Sequence, residues 1–226
     1  MEIIYYGHSC FEVHYNEHRI LFDPFIRPNP KAASIALSSI NPTLIAISHA
    51  HGDHIADAES IAKQCGAPIL ANYEITSWFT EKGVEQTIGM NTGGTYRLPN
   101  LSISLTQALH SSSFPDGRYG GNPNGFALNF GTRRFYYAGD TDLFGDMHLI
   151  GQHYNPEFAF LPIGDHFTMG YERAAEASKL LNVKSVIGMH FDTFPPIEID
   201  HEQVQQHFNR EGIRLIIPEI GQTITM

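Results

Sequence analysis

The stretch AISHAHGDHIAD, residues 46–57, places three histidines and an aspartate within six positions, directly after the apolar run TLIAIS. The run predicts a buried strand, and helical periodicity begins at Ile55. Residues 49–54 therefore fill a tight connection between a strand and a helix. Since alternate side chains of an extended segment point the same way, His49 and His51 can meet one metal ion, while Asp53 and His54 turn toward a second.

Metal-competent residues recur at the ends of three other predicted strands. His110 follows LSISLTQAL, Asp140 follows RRFYYAG, and His190 follows SVIGM. This repeated placement predicts an active site at one edge of the sheets. Imidazole and carboxylate ligands suit Zn, Mn or Fe, and the absence of a thiolate removes one argument for the softest metals.

The rest of the chain alternates short apolar runs with Gly, Pro and Asn. The runs, among them LIIPEIGQTI near the end of the chain, predict strands, and CFEVHYNEHRILF and NGFALNFGTRRFYY predict antiparallel hairpins. Helical periodicity is found in IADAESIAKQCG, NYEITSWFTEKG, GYERAAEASKLLN and DHEQVQQHFNREG. Hairpins at both ends of the chain, with strand and helix alternating between them, predict an α+β protein with two sheets and outer helices. Because no linker or low-complexity tract marks a boundary, residues 1–226 are predicted to form a single domain.

The composition narrows the choice of partner and compartment. A formal charge of −10 disfavours nonspecific binding to nucleic acid or to an anionic membrane surface. The opening MEIIYYGHSC has neither the basic nor the long apolar region of a secretory signal, so we expect a cytoplasmic protein. Cys10 and Cys65 are far apart in sequence and predict buried thiols in a reducing compartment, not a disulfide.

The segment HAHGDH is similar to the H-x-H-x-D-H motif of the metallo-β-lactamase superfamily, in which a His, an Asp and a His follow later in the chain. The resemblance extends over nearly the whole chain to small bacterial metal-dependent hydrolases related to the ascorbate-phosphate lactonases. It is carried by YYGHSCF, DPF, HSSS, AGDTDLFGDM, LPIGDHFTMG and MHFDTFP. The resemblance implies an αββα sandwich of two mixed β-sheets, with helices on the outer faces and metals at one edge.

The resemblance also implies two divalent ions per chain, with Zn as the first choice and Mn or Fe as alternatives. One ion is expected on His49, His51 and His110. The other is expected on Asp53, His54 and His190. Asp140 is expected to bridge the two ions, and Asp23, in LFDPF, to support the ligand histidines through hydrogen bonds.

Four further assignments concern catalysis and substrate. Asp53 is expected to orient the attacking hydroxide, and His8 and His166 are candidates for the acid that protonates the leaving group. For His8, a hydrogen bond inside the sheet edge is an equal alternative. Arg118 is expected to contact an anionic group of the substrate, with a solvated surface side chain as the alternative. Asp165 is expected to support the site, with a cap before the helix near Gly170 as the alternative.

The predicted function is a dinuclear metal-dependent hydrolase, in which a metal-bridging hydroxide attacks an ester-like bond of a small molecule. The resemblance implies a lactone as the substrate class. One alternative is a metal-dependent phosphodiesterase, which the net charge and the lack of a basic nucleic-acid module disfavour. A second is a non-hydrolytic metal-binding or redox protein. The expected partner is a small-molecule substrate, without nucleic acid or membrane, and assembly into a homo-oligomer is left open.

Overall fold

A computed structural model describes all residues from Met1 to Met226. The chain divides into two compact units. Unit 1 consists of residues 1–91, 111–123 and 218–226, and unit 2 of residues 92–110 and 124–217. The chain thus passes between the units several times, and a single domain over residues 1–226 stays a prediction.

Fourteen strands form two seven-stranded sheets, one in each unit. The strands are β1 (Glu2–Gly7), β2 (Cys10–Tyr15), β3 (His18–Phe22), β4 (Leu44–Ala46), β5 (Ile69–Asn72), β6 (Thr87–Met90), β7 (Thr95–Leu98), β8 (Leu101–Gln107), β9 (Asn124–Asn129), β10 (Arg134–Tyr137), β11 (Phe158–Pro162), β12 (Ser185–Met189), β13 (Arg214–Ile216) and β14 (Thr223–Thr225). The helices are α1 (Gly52–Ile55), α2 (Ala58–Cys65), α3 (Tyr73–Glu81), α4 (Met147–Tyr154), α5 (Tyr171–Leu180) and α6 (His201–Arg210). None of these helices has the length and apolar character needed to cross a membrane. The predicted α+β class with two mixed sheets is confirmed.

The sheet of unit 1 has the order β14-β1-β2-β3-β4-β5-β6. Strands β1, β2 and β3 are antiparallel, and β3 to β6 are parallel, which confirms the predicted hairpin of β2 and β3. Because β1, β3 and β4 run in the same direction, their carboxyl ends lie at one edge of this sheet. Immediately after these ends, the chain carries His8, Asp23 and residues 48–54.

The sheet of unit 2 has the order β13-β12-β11-β10-β9-β8-β7. Neighbours from β7 to β10 are antiparallel, and those from β10 to β13 are parallel, which confirms the second predicted hairpin. Since β8, β10 and β12 run in the same direction, their carboxyl ends also share an edge. They deliver His110, Asp140 and His190 to that edge.

Apolar packing fixes the strands that carry these residues. Strands β4 and β11 are buried at every position, as expected for strands with parallel neighbours on both sides. In unit 2, Phe135 stacks on Phe158 with ring centroids 5.3 Å apart and meets Phe160 edge to face at 5.5 Å. The aromatic packing of β10 against β11 thus holds the strand that leads to Asp140.

Several predicted boundaries are wrong for local reasons. The helix expected from Ile55 is divided, because α1 already begins at Gly52 and α2 begins only at Ala58. The run LIIPEIGQTI forms two strands in different sheets, since Pro218 lacks the N–H that a central strand position donates and Gly221 turns the chain at φ 84°. Helix α4 and the half-buried edge strands β6 and β7 were not predicted, as their apolar patterns are short.

Candidate metal centre

Two candidate histidines of unit 1 are held by the buried carboxylate of Asp23, His54 directly and His49 through Ser48. One Asp23 oxygen accepts hydrogen bonds from the Ser48 hydroxyl (2.6 Å) and from His54 Nδ1 (2.9 Å), and the other accepts from the Ser48 backbone N–H (2.7 Å). A carboxylate acceptor holds the proton on His54 Nδ1 and leaves Nε2 with a lone pair. The Ser48 hydroxyl donates to Asp23 and therefore accepts from His49 Nδ1 at 3.0 Å, so His49 also presents a basic Nε2.

Two further candidate residues of unit 1, His51 and His8, lie close to this pair. His49 Nε2 is 3.0 Å from His51 Nδ1, and the rings of His49 and His54 have centroids 4.1 Å apart. His8 Nε2 lies 3.0 Å from Asp53 Oδ2, with the imidazole fully buried and the carboxylate 28% exposed. The structure therefore brings together six of the seven predicted site residues of unit 1, the exception being Arg118.

Backbone conformation at the ends of β1 and β3 is unusual. His8 has φ 57° and Asp23 has φ 42°, values in the left-handed region that cost energy for residues other than glycine. The Tyr5 hydroxyl donates to the His8 carbonyl (3.2 Å), and the Asp23 N–H donates to the Ala46 carbonyl (3.1 Å). These bonds hold the two side chains at the sheet edge in spite of the strain.

Residues 111–123 are packed against the histidine loop of unit 1. The Ala50 N–H donates to the Ser112 hydroxyl (3.2 Å), which donates to the Gly120 carbonyl (3.0 Å). A β-carbon at Gly120 would lie 2.2 Å from the Ala50 β-carbon, so only glycine fits there. This contact fixes the backbone between His49 and His51.

The cluster of unit 2 is arranged around Asp140, which is 2% exposed. One carboxylate oxygen, Oδ2, lies 3.0 Å from His190 Nε2 and 3.7 Å from His110 Nε2. The three predicted ligands at strand ends are thus brought together within this unit. Asp140 faces the Nε2 atoms of its histidines, whereas Asp23 faces Nδ1 of His54.

Backbone contacts hold the cluster of unit 2. The Thr141 hydroxyl accepts from the Leu109 N–H (2.9 Å) and donates to the Asp142 carbonyl (2.7 Å), which joins the loop before His110 to the loop after β10. A β-carbon at Gly164 would lie 2.1 Å from the His190 carbonyl oxygen. The close approach of the loop after β11 to His190 therefore requires glycine at position 164.

Three other predicted site residues, Asp165, His166 and Arg118, make contacts that differ from those within the two clusters. His166 and Asp165 are exposed in a turn with φ 56° and 59°, and the His166 ring packs edge-on against Phe167. Helix α5 follows Gly170 without a side-chain cap, so the alternative role of Asp165 as a helix cap is wrong. Catalytic and supporting roles for His166 and Asp165 stay predictions.

Arg118 has its charge balanced within unit 1. Its guanidinium pairs with Asp116 (2.9 Å) and Glu81 (3.2 Å) and lies 4.1 Å from the centre of the Trp78 ring. A hydrogen bond from the Arg118 backbone, joined by one from its side chain, lowers the pKa of Asp116 below its ordinary value. Contact of Arg118 with a substrate stays a prediction.

Both cysteines are free thiols, as predicted, but only Cys10 is buried; Cys65 is half-buried, so the prediction of burial is wrong for Cys65. Burial raises the pKa of the Cys10 thiol well above its ordinary value, which disfavours the thiolate that a metal ligand needs. The supporting residues Ser48, Thr141, Gly120 and Gly164 were not predicted. For Ser48, Thr141 and Gly164, the only sequence signal was a short polar or glycine residue close to a candidate ligand or a strand end, and Gly120 had no such signal.

Comparison with known proteins identifies the family to which the chain is similar. A family model described as a β-lactamase superfamily domain matches residues 18–191. A UPF0173 metal-dependent hydrolase from Methylacidiphilum infernorum is 46% identical over 226 residues and is aligned over the full length of both chains. A second protein of that name, from Deinococcus radiodurans, is 44% identical over 219 residues, or 96% of each chain.

A solved structure is similar over nearly the whole chain. Igni18, described as a novel metallo hydrolase from the hyperthermophilic archaeon Ignicoccus hospitalis, is 39% identical and has a TM-score of 0.89. The match covers 99% of this chain and 97% of that one. The fold of this chain therefore has a counterpart among solved structures.

Proposed function

This chain belongs to the metallo-β-lactamase superfamily and is a metal-dependent hydrolase, and we propose that it uses two divalent ions to cleave an ester-like bond of a small molecule, a lactone being the preferred class. The observation that carries the proposal is the hydrogen bonding of Asp23 and Ser48 in unit 1. It fixes the protons of His49 and His54 on Nδ1 and leaves both Nε2 atoms basic. That is the form in which histidine binds a metal.

The donor set fits divalent ions of intermediate softness. It consists of neutral imidazoles and carboxylates, which favour Zn and also accept Mn or Fe. We assign one ion to His49, His51 and His110. We assign the other to Asp53, His54 and His190. Asp140 is assigned to both ions.

When bound, such ions make water acidic enough to supply a nucleophile near neutral pH and polarise the carbonyl group under attack. Two side chains of the protein, Asp53 and His8, position the proton that moves during the reaction. Asp53 accepts a proton from the attacking water at Oδ2, the oxygen that His8 Nε2 contacts at 3.0 Å. As the ester C–O bond breaks, Asp53 passes this same proton to the leaving alkoxide, while the His8 Nε2–H donates a hydrogen bond that stabilises the Asp53 carboxylate.

A neutral or singly charged substrate suits the electrostatics better than a polyanion. The chain has 14 basic and 24 acidic residues, and Arg118, the cation of the loop after His110, is already paired with two carboxylates. A phosphodiester carries its charge at the reacting centre and needs cations to offset it. These features support an ester or lactone over a phosphodiester.

The test combines metal analysis with a substrate screen. Protein purified without added metal is analysed for its elements and assayed on a panel of lactones, carboxyl esters and bis-p-nitrophenyl phosphate, before and after chelation. We expect two metals per chain and chelation-sensitive cleavage of a lactone or ester. His148→Ala, which changes an exposed histidine outside both clusters, serves as the control for His110→Ala.

Three results would contradict parts of this proposal. Cleavage of the phosphodiester alone would change the bond class. One metal per chain with full activity would remove the dinuclear assignment. Activity of the His110→Ala protein equal to that of His148→Ala, with both folded, would exclude the ligand set.

A further inference from the structure

Unit 1 contains an apolar cavity of about 270 Å³ beside the histidine loop. Its apolar wall is made by Ile55, Trp78, Phe79 and Pro115, from α1, α3 and the loop after residue 110. The volume lies just below the roughly 300–1,000 Å³ of pockets for drug-sized ligands. The cavity, called here the Trp78 pocket, is therefore of a size for a compact organic molecule.

Two charged side chains lie at the Trp78 pocket, and only one of them has a counter-ion. Glu59 is paired with Lys63 across one helical turn at 2.7 Å. Lys82 makes no ion pair, and its ammonium group lies 4.7 Å from the centre of the Trp78 ring. The Lys82 ammonium can therefore face an anionic group of a molecule bound in the cavity.

The walls of the Trp78 pocket are held by contacts within unit 1. Phe114 stacks on Trp78 with ring centroids 4.1 Å apart and planes inclined by 9°, and Arg118 lies 4.1 Å from the same ring. The Lys63 ammonium donates to the Lys82 carbonyl at 2.7 Å, which ties α2 to the end of α3. A ligand would thus enter a formed cavity instead of ordering a flexible one.

We propose that the Trp78 pocket binds a small organic anion with an apolar body, such as an aryl-substituted aliphatic carboxylate. The apolar body packs against Ile55, Trp78 and Pro115, and the carboxylate faces the Lys82 ammonium. Gly52, which lies between His51 and Asp53 in the chain, also lines the pocket, so the bound molecule contacts the backbone of the histidine loop. This binding requires no turnover and is independent of the bond that the protein cleaves.

The chain offers a direct reporter, because Trp78 is its one tryptophan. Metal-loaded protein is titrated with 4-phenylbutyrate, 4-phenylbutan-1-ol and 4-phenylbutylamine, which share a body and differ in charge. Binding is followed by tryptophan emission and by the single indole N–H resonance. We expect saturable binding of the carboxylate, roughly fivefold tighter than that of the alcohol, as for one partly screened ion pair, and weaker binding of the amine.

Three variants locate the interaction. Lys82→Gln should abolish the preference for the carboxylate over the alcohol. Lys31→Gln, which changes an exposed lysine that does not line the pocket, should keep the preference although it alters the net charge equally. Ala56→Leu places a larger side chain at an exposed lining position and should weaken binding of all three molecules. Thermal unfolding confirms that each variant is folded.

The proposal is overturned by any of three results. The first is no saturable change in emission or in the indole resonance. The second is equal affinity of the parent protein for carboxylate and alcohol. The third is an equal loss of preference in Lys31→Gln and Lys82→Gln, which would assign the effect to the overall field of the protein.

Discussion

The two units use a buried carboxylate in opposite ways. In unit 1, Asp23 contacts Nδ1 of His54 and the hydroxyl and N–H of Ser48, so it acts on the far side of the histidine ring from Nε2. In unit 2, Asp140 contacts Nε2 of His110 and His190 directly. The two carboxylates are almost equally buried, at 0% and 2% exposure. We therefore propose that the ring nitrogen that a carboxylate contacts, and not its burial, separates a carboxylate that supports a metal ligand from one that is itself a ligand.

Asp140→Asn is expected to have the largest effect of the variants. A small effect would contradict the distinction between the roles of Asp23 and Asp140. Because the amide cannot replace a carboxylate ligand, we expect kcat/KM to fall roughly 1,000-fold, since metal stabilisation of the transition state is worth several kcal/mol. Steady-state kinetics and elemental analysis on the same preparation measure it. Retention of both activity and metal by the variant would remove Asp140 from the ligand set.

Asp23→Asn should have a smaller effect of a different kind. The side chain keeps its shape but loses the negative charge that holds the His54 proton on Nδ1, so metal affinity should fall roughly 10–100-fold while activity at saturating metal is largely retained. Competition with a chromophoric chelator gives the affinity. If Asp23→Asn and Asp140→Asn lost activity equally at saturating metal, the distinction between the two carboxylates would be wrong.

Gly164→Ala tests the backbone support of unit 2. The new β-carbon would meet the His190 carbonyl oxygen at 2.1 Å, so the free energy of unfolding should fall by about 1–3 kcal/mol, as in other overpacked sites. Gly145→Ala is the matched control, because no atom lies within 4 Å of a β-carbon there and its φ is not positive. Urea denaturation measures both variants, and equal stability of the two would contradict the close contact at position 164.

Ser48→Ala is expected to have the smallest effect. It separates the contribution of the Ser48 hydroxyl from that of the Asp23 carboxylate within unit 1. Loss of the hydroxyl removes the acceptor for His49 Nδ1 but leaves Asp23 bonded to His54, so metal affinity should fall by roughly tenfold, the lower limit for such supporting contacts. Ser39→Ala, at an exposed hydroxyl bonded only to the Ala36 carbonyl, is the control. A larger loss than in Asp23→Asn would show that the hydroxyl, and not the carboxylate, orients the histidines.

The sequence indicated the candidate metal ligands more clearly than the residues that hold them in place. Residues 49–54, His110, Asp140 and His190 stand out because each follows an apolar run, and a buried strand that ends at a polar residue presents that residue at a sheet edge. Ser48 and Gly164 have no such pattern. Their roles depend on contacts with Asp23 and His190, each 25 or 26 positions away, and no local pattern records such a contact.

The bounds of the strands at the edges of the two sheets could also not be predicted from the sequence. Strands β6 and β7 are half-buried and pair on one side only, so selection for apolar residues is weak along them. Residues 214–225 form two strands in two sheets, a division that hydropathy does not indicate. In both cases, the neighbouring strand with which a segment pairs, and not the segment's own hydropathy, sets where the strand forms.

The α+β class, both hairpins and the metal-competent residues follow from the sequence alone, because hydrophobic period and residue chemistry are local properties. The contact of Asp23 with Nδ1 of His54, and that of Asp140 with the Nε2 atoms of two histidines, depend instead on the folded arrangement of the chain. The physical reason is that a hydrogen bond depends on positions to a few tenths of an ångström. Those positions are set by strand register and packing across residues distant in the chain.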